Sequence, residues 1–220
     1  MKAHGQEGPE VLLAARDLAC ERDDRLLFSG LNFQLAAREI LQVEGRNGSG
    51  KTSLLRIVCG LALASSGGIY WRDQPVERVR SDYLGQINYL GHHAGVKAEL
   101  TPLENLRFAQ ALTNPRRGVD LNAVLGRLSL RGFEDVPCRM LSAGQNRRVG
   151  LARLLVSDAL LWVLDEPFTA LDRKGIADVE DIFLEHVRAG GVVILTTHHT
   201  TRLDGCTVKV IDLSDGVSGP

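Results

Sequence analysis

Two stretches of the chain, Ala159-Leu160-Leu161-Trp162-Val163-Leu164 and Val192-Val193-Ile194-Leu195, are apolar almost without interruption. A strand with one wet face would alternate, so these runs predict strands buried on both faces of a parallel sheet. Parallel neighbours need a crossover, and residues 173–189 read as its helix. Residues 11–19, 31–36 and 39–44 carry shorter apolar runs broken by polar or glycine-containing turns, and they predict earlier strands. Asn88-Tyr89-Leu90 ends a further one. Between 100 and 157 the period changes. Leu103, Leu106, Phe108 and Leu112 recur at roughly helical intervals, and Leu121, Val124, Leu125 and Leu128 follow at i, i+3, i+4 and i+7. The pattern predicts an α/β fold with a helical insertion too small to stand as an independent domain. One domain thus spans residues 1–220, with a core over 11–94 and 158–213 and a helical subdomain over 95–157. The first ten residues and the last seven are polar and rich in Gly and Pro, and both read as loose tails. The apolar residues near Leu100–Phe108 suit a docking surface and amphipathic core packing equally well.

Composition narrows the partners. Apolar residues make up 44% of the 220, charged residues 24%, and the formal net charge is -1. A non-specific nucleic-acid binder needs a basic surface to release counterions, and this balance gives no support for one. No segment approaches 18 consecutive apolar residues, so no bilayer span is expected, and the N-terminus carries no signal-like apolar run. The reading is a soluble protein, or one held at a membrane by a partner. Cys20, Cys59, Cys138 and Cys206 are dispersed without metal-like spacing and read as reduced, mostly buried thiols.

The chemistry begins at Gly45-Arg46-Asn47-Gly48-Ser49-Gly50-Lys51-Thr52, which matches G-x-x-x-x-G-K-[ST] in full. An apolar run precedes it, and the helix-like segment beginning at Ser53 follows. Glycines let the main chain curl so that successive N–H groups face phosphate oxygens, and a helix N-terminus adds its positive dipole end. Lys51 can reach the β- and γ-phosphates of a nucleotide, and the Thr52 hydroxyl can ligate Mg²⁺. At the end of the 159–164 run stand Asp165-Glu166-Pro167. A carboxylate at the tip of a buried strand beside such a loop can hold Mg²⁺, which makes Asp165 the metal-site residue. The neighbouring carboxylate, Glu166, can polarise an attacking water as general base.

Three further motifs carry a family resemblance. Leu141-Ser142-Ala143-Gly144-Gln145 resembles the LSGGQ signature of ABC ATPases, with Ala143 in place of the usual glycine. Phe168-Thr169-Ala170-Leu171-Asp172 is similar to the D-loop of that family, and Thr196-Thr197-His198 to its H-switch. The motifs stand in the family's order and cover about 11–213. The resemblance implies a P-loop ABC ATPase cassette with a mixed or parallel sheet core and a small helical subdomain. It also implies two copies packed head-to-tail, each signature capping the ATP on the other's phosphate loop. Ser142, Ala143, Gly144 and Gln145 would then act in trans, Asp172 would lie at the seam, and His198 would contact the γ-phosphate.

Two departures stand out. The family's adenine-stacking aromatic is missing from Cys20-Glu21-Arg22-Asp23-Asp24-Arg25, where Arg22 is the best positional match. A guanidinium can stack on a base, although a solvated charge run explains the segment as well. Where the family carries a Q-loop glutamine, this chain has Gly91-His92-His93, and His92 becomes a further candidate for the Mg²⁺ site. The stretch from Tyr89 to Leu106, with the run from Leu141 to Leu155, resembles the haem-exporter (CcmA-type) ATP-binding subunits of bacterial cytochrome c maturation. That implies ATP hydrolysis at the cytoplasmic face of the inner membrane, with separate membrane-spanning permease subunits. The motifs also suit an ABC subunit with another cargo. A soluble non-transport ABC ATPase usually carries two cassettes or long insertions, and neither fits in 220 residues. A switch GTPase would need N-K-x-D to select guanine, and the chain has none.

Overall fold

Five parallel strands form the central sheet, and their order departs from the order in the chain. The computed structural model describes residues 10–199, 203 and 205–214. Both tails read from the sequence therefore fall almost entirely outside the described residues. The strands are β1 (Val11–Arg22), β2 (Arg25–Ala36), β3 (Glu39–Glu44), β4 (Ser66–Trp71), β5 (Gln74–Pro75), β6 (Ile87–Leu90), β7 (Leu161–Asp165), β8 (Val192–Thr196) and β9 (Thr207–Asp212). The helices are α1 (Lys51–Val58), α2 (Arg80–Leu84), α3 (Pro102–Leu112), α4 (Leu121–Arg127), α5 (Ala143–Ala152) and α6 (Arg173–Arg188). The central sheet runs β6-β7-β8-β3-β9, and a second, antiparallel sheet runs β2-β1-β4-β5. The central pairings are all parallel, with Leu161–Asp165 of β7 set against Val192–Thr196 of β8.

The two uninterrupted apolar runs are β7 and β8, buried at every position. Side chains alternate along a strand, so neighbours on β7 enter different cores. Trp162 and Leu164 join a core shared with α3, α4, α5 and α6. Leu161 and Val163 join the other, built from the antiparallel sheet and α1. The crossover helix α6 is capped by Asp172, whose carboxylate accepts from the Gly175 N–H at 3.0 Å. In α3, Leu106 is fully buried and Leu103 packs on the same core, whereas Phe108 and Leu112 point outward.

The first two strands extend further than their apolar runs. Arg22 pairs with Arg25, and Asp23 and Asp24 between them have φ of 49° and 58°. Two left-handed residues suit a tight hairpin turn, which Asp tolerates better than most residues. The charged run after Cys20 is thus the tip of a hairpin. Strands β4, β5 and β9 and helix α2 add elements that the apolar pattern does not announce.

One buried histidine makes stability depend on pH. His186 of α6 stacks on Trp162 with ring centroids 3.7 Å apart, and its Nε2 lies 3.1 Å from the Leu160 carbonyl oxygen. Burial lowers its pKa from 6.5 to about 4. The folded state thus resists a proton that the unfolded chain accepts. Stability is retained above pH 6.5 and lost as pH falls toward 4, by up to roughly 3 kcal/mol. Urea unfolding midpoints between pH 7.5 and 4.5 should fall less steeply in His186→Gln than in the wild type. Parallel slopes would remove this histidine as the cause.

Candidate active site

Lys51, Thr52, Asp165, Glu166 and His198 converge on one cavity of about 800 Å³. Its phosphate end is the turn between β3 and α1. Gly50 caps α1 with φ 104°, and a Cβ there would stand 3.1 Å from Leu27 and Phe28 of β2. Gly45 has φ 138°, and a Cβ would approach Ser49 Oγ to 2.5 Å. Both positions therefore require glycine. Lys51 Nζ donates to the carbonyl oxygens of Gly45 at 2.6 Å and Arg46 at 3.1 Å, so the ammonium is held inside its own loop. Asn47, Gly48, Gly50, Lys51, Thr52 and Ser53 line the cavity, whereas Gly45 and Arg46 line a neighbouring cleft.

The carboxylate end is the turn after β7. Asp165 is buried, and both its oxygens are engaged. Thr52 Oγ1 donates to Oδ2 at 2.8 Å, and Thr196 Oγ1 donates to Oδ1 at 2.8 Å. The Thr196 hydroxyl in turn accepts from the Glu166 N–H at 2.9 Å. Thr196 thereby fixes the turn from the neighbouring strand, a role its sequence position at the H-switch does not reveal. Glu166 has φ 49°, a left-handed conformation that costs a non-glycine residue about 1 kcal/mol. This conformation accompanies a largely sheltered carboxylate whose Oε1 lies 3.4 Å from His198 Nε2. The imidazole itself is largely exposed.

The other candidates divide. His92 lines the cavity, and its ring meets His93 edge-on at 5.7 Å. Arg22 lines the same cavity together with Asp23, Arg25 and Leu27. Arg25 and Leu27 were not singled out by the sequence; only the hairpin pairing brings them there. Ser142, Ala143, Gly144 and Gln145 lie outside the cavity, at the N-terminus of α5. Ser142 Oγ accepts from the Gln145 N–H at 3.2 Å, and Gln145 Oε1 accepts from the Ser142 N–H at 2.8 Å. This reciprocal cap holds the helix end open with Ser142 and Ala143 exposed. A Gly144 Cβ would meet the Ala170 carbonyl oxygen at 2.6 Å, so the signature turn abuts the loop leading to Asp172. The Asp172 carboxylate is bonded to Arg148 Nη2 at 2.6 Å.

Sequence reading also missed Arg147. It is only 4% exposed and lies on the inner side of α5. Its guanidinium reaches the main chain of both the Asp165–Pro167 turn and the Gly91–His92 loop. Helical spacing signals it, because Arg147 shares a face with Gly150 and Leu154, both buried.

Comparison with known proteins places the family and the fold. The family model described as ABC transporter matches residues 28–169. A protein of Hahella chejuensis named cytochrome c biogenesis ATP-binding export protein CcmA is 49% identical over 198 residues, covering 90% of this chain and 94% of that one. Its namesake in Aliivibrio fischeri is 44% identical over 204 residues, covering 93% of this chain and 100% of the other. Among solved structures, an ATP binding subunit of an ABC transporter superposes with TM-score 0.81 at 22% identity, over 93% of this chain and 87% of that one. A putative ABC transporter ATP-binding protein from Pyrococcus furiosus gives 0.77 at 25% identity, over 91% and 96%. No helix among the described residues is long and apolar enough to cross a membrane.

Proposed function

Because the chain belongs to the ABC transporter family of ATP-hydrolysing proteins, we propose that it is the ATPase subunit of an exporter serving cytochrome c biogenesis, with haem, free or on its chaperone, as the cargo. The observation that carries the catalytic half is the convergence of Lys51, Thr52, Asp165, Glu166 and His198 on one cavity. The cargo half is supported by relatives of 44% and 49% identity named for that pathway, and by the run from Tyr89 to Leu106.

The reaction is in-line attack of water on the γ-phosphate of ATP. A bond forms between the water oxygen and phosphorus, the bond from phosphorus to the β,γ-bridging oxygen breaks, and ADP leaves. Glu166 takes the proton from the water, and His198 holds the carboxylate and the γ-phosphate in register. Lys51 exchanges its two carbonyl partners for phosphate oxygens and stabilises the transferring group. Thr52 and Asp165 present oxygen donors that suit a hard cation, and their 2.8 Å contact brings them to one point. They would hold Mg²⁺, which when bound neutralises charge on the β- and γ-phosphates, with His92 the further candidate at that edge.

Arg22, which lines the cavity from the β1–β2 hairpin, would stack on the adenine. Its guanidinium offers a planar face where the family uses an aromatic ring. The exposed N-terminus of α5 points to a second copy of the chain. Ser142 already accepts from its own helix, so its hydroxyl proton is available to the γ-phosphate bound by that copy. Gly144 and Gln145 would close the same site, and Asp172 would stand at the seam. The chain would sit peripherally at the cytoplasmic face of the inner membrane, coupled to permease subunits through the helical subdomain and the His92-His93 loop.

Affinity capture of the tagged chain from its native membranes, read by mass spectrometry, tests the assignment. Cytochrome c maturation membrane subunits should co-purify. An unrelated permease in their place would remove the haem reading and leave the ATPase chemistry intact.

A further inference from the structure

Arg147 donates five hydrogen bonds, each to a main-chain carbonyl oxygen. Nη2 reaches Asp165 at 2.7 Å and Glu166 at 2.6 Å, and Nε reaches Pro167 at 3.2 Å. Nη1 reaches Gly91 at 2.9 Å and His92 at 3.2 Å. One planar group on the signature helix therefore ties together the turn that carries the metal-site and base carboxylates and the loop that carries His92. Two other residues on the same side extend the attachment. Arg153 Nη1 donates to the carbonyls of Ala94 at 3.2 Å and Gly95 at 2.9 Å. Between them Gly150 admits Ala94 so closely that a Cβ would stand 2.9 Å from its methyl. Positions 147, 150 and 153 thus fasten residues 91–95 to α5 and the turn that follows it.

We propose that Arg147 is a positioning residue that couples the signature helix to the catalytic base, by fixing the Asp165-Glu166-Pro167 main chain relative to α5. This rests on the reading above, in which Glu166 is the base and the N-terminus of α5 caps nucleotide on a second copy. Engagement of that helix end then sets the reach of Glu166 in the same subunit. The site calls for arginine. Glu166 is held in a left-handed conformation, which persists only where its surroundings over-determine it, and its own carbonyl accepts the shortest of the five bonds. A lysine ammonium is a point charge and cannot span carbonyls on two separate segments, whereas the guanidinium fork can. Burying a cation is costly unless it is compensated. Five carbonyl dipoles provide that here, and the Asp165 and Glu166 carboxylates oppose the lowering of the Arg147 pKa by burial.

The test uses the full chain purified with its membrane subunits, in three variants: Arg147→Met, Arg147→Lys and Glu166→Gln. Displacing a reacting group by about 1 Å costs about 10²-fold in rate. Arg147→Met should therefore lose about 10²-fold in kcat, with KM for ATP within about 3-fold. Amide exchange should accelerate over residues 91–95 and 165–168 and stay at the wild-type rate in the β1–β2 hairpin. Arg147→Lys should recover only a minor part of kcat. Wild-type kcat in Arg147→Met would overturn the proposal, as would full recovery by lysine. So would uniformly faster exchange through both sheets, which marks a merely structural residue. Glu166→Gln separates the two layers. If it turns over normally, the base assignment fails. If it is inactive while Arg147→Met is normal, only the coupling fails.

Discussion

Exchanging Glu166 for glutamine is expected to abolish ATP turnover while nucleotide stays bound. General-base catalysis contributes about 10²–10⁴-fold, so kcat should fall by about 10³-fold. The substitution preserves what builds the turn, since those bonds run through the main chain: the Glu166 N–H to Thr196 and the Glu166 carbonyl from Arg147. The amide can keep the contact with His198, now 3.4 Å from the carboxylate, as an ordinary hydrogen bond. Binding should therefore be unaffected. With hydrolysis blocked, the ATP that bridges two copies is not consumed, and a dimer should accumulate on size-exclusion chromatography with ATP. A near wild-type rate would withdraw the base assignment.

Lys51→Ala should lose both binding and turnover. Charge-assisted bonds to phosphate are among the strongest the chain can make, so ATP affinity should fall by about 10²-fold in calorimetric titration. Turnover should fall further, because the ammonium also faces charge that develops in the transition state. The present partners of Lys51 Nζ sharpen this expectation. They are carbonyl oxygens of its own loop, so alanine also removes a tether that holds the loop's shape. Normal ATP affinity in the variant would count against the cradle.

The site was legible in the sequence wherever chemistry needs a fixed local order. Gly45 to Thr52, the Asp165-Glu166 pair and His198 are each written in a few consecutive residues, and strand ends carry the Asn47–Thr52 part of the loop, the carboxylate pair and the histidine to one cavity. The two buried central strands were legible because continuous apolar runs have few other uses. Strand β9 was not. In Thr-Val-Lys-Val-Ile-Asp, Val208 and Val210 face outward at an edge and the inward positions are Lys209 and Ile211, so a single apolar residue is all its inner face shows. Strand β4 starts with Ser66-Gly67-Gly68, which signals a turn. Arg147 escaped for a different reason. Helical spacing sets it on the buried face of α5, but its partners are main-chain carbonyls at 91–92 and 165–167, which tertiary contact supplies and residue identity does not name.

The alternation along β7 bears on how the chain can change over time. Trp162 and Val163 are neighbours in sequence but face separate compartments, with the sheet as the bulkhead between them. Packing defects couple within a compartment and are nearly independent across such a wall. Compensation for a volume change at Trp162 must come from residues such as Phe183 and Phe168, and for one at Val163 from the side of Leu54 and Leu55. The half that holds the phosphate loop and the half that carries the signature helix can thus drift on separate schedules. They stay answerable to each other only along the strand tips where they meet.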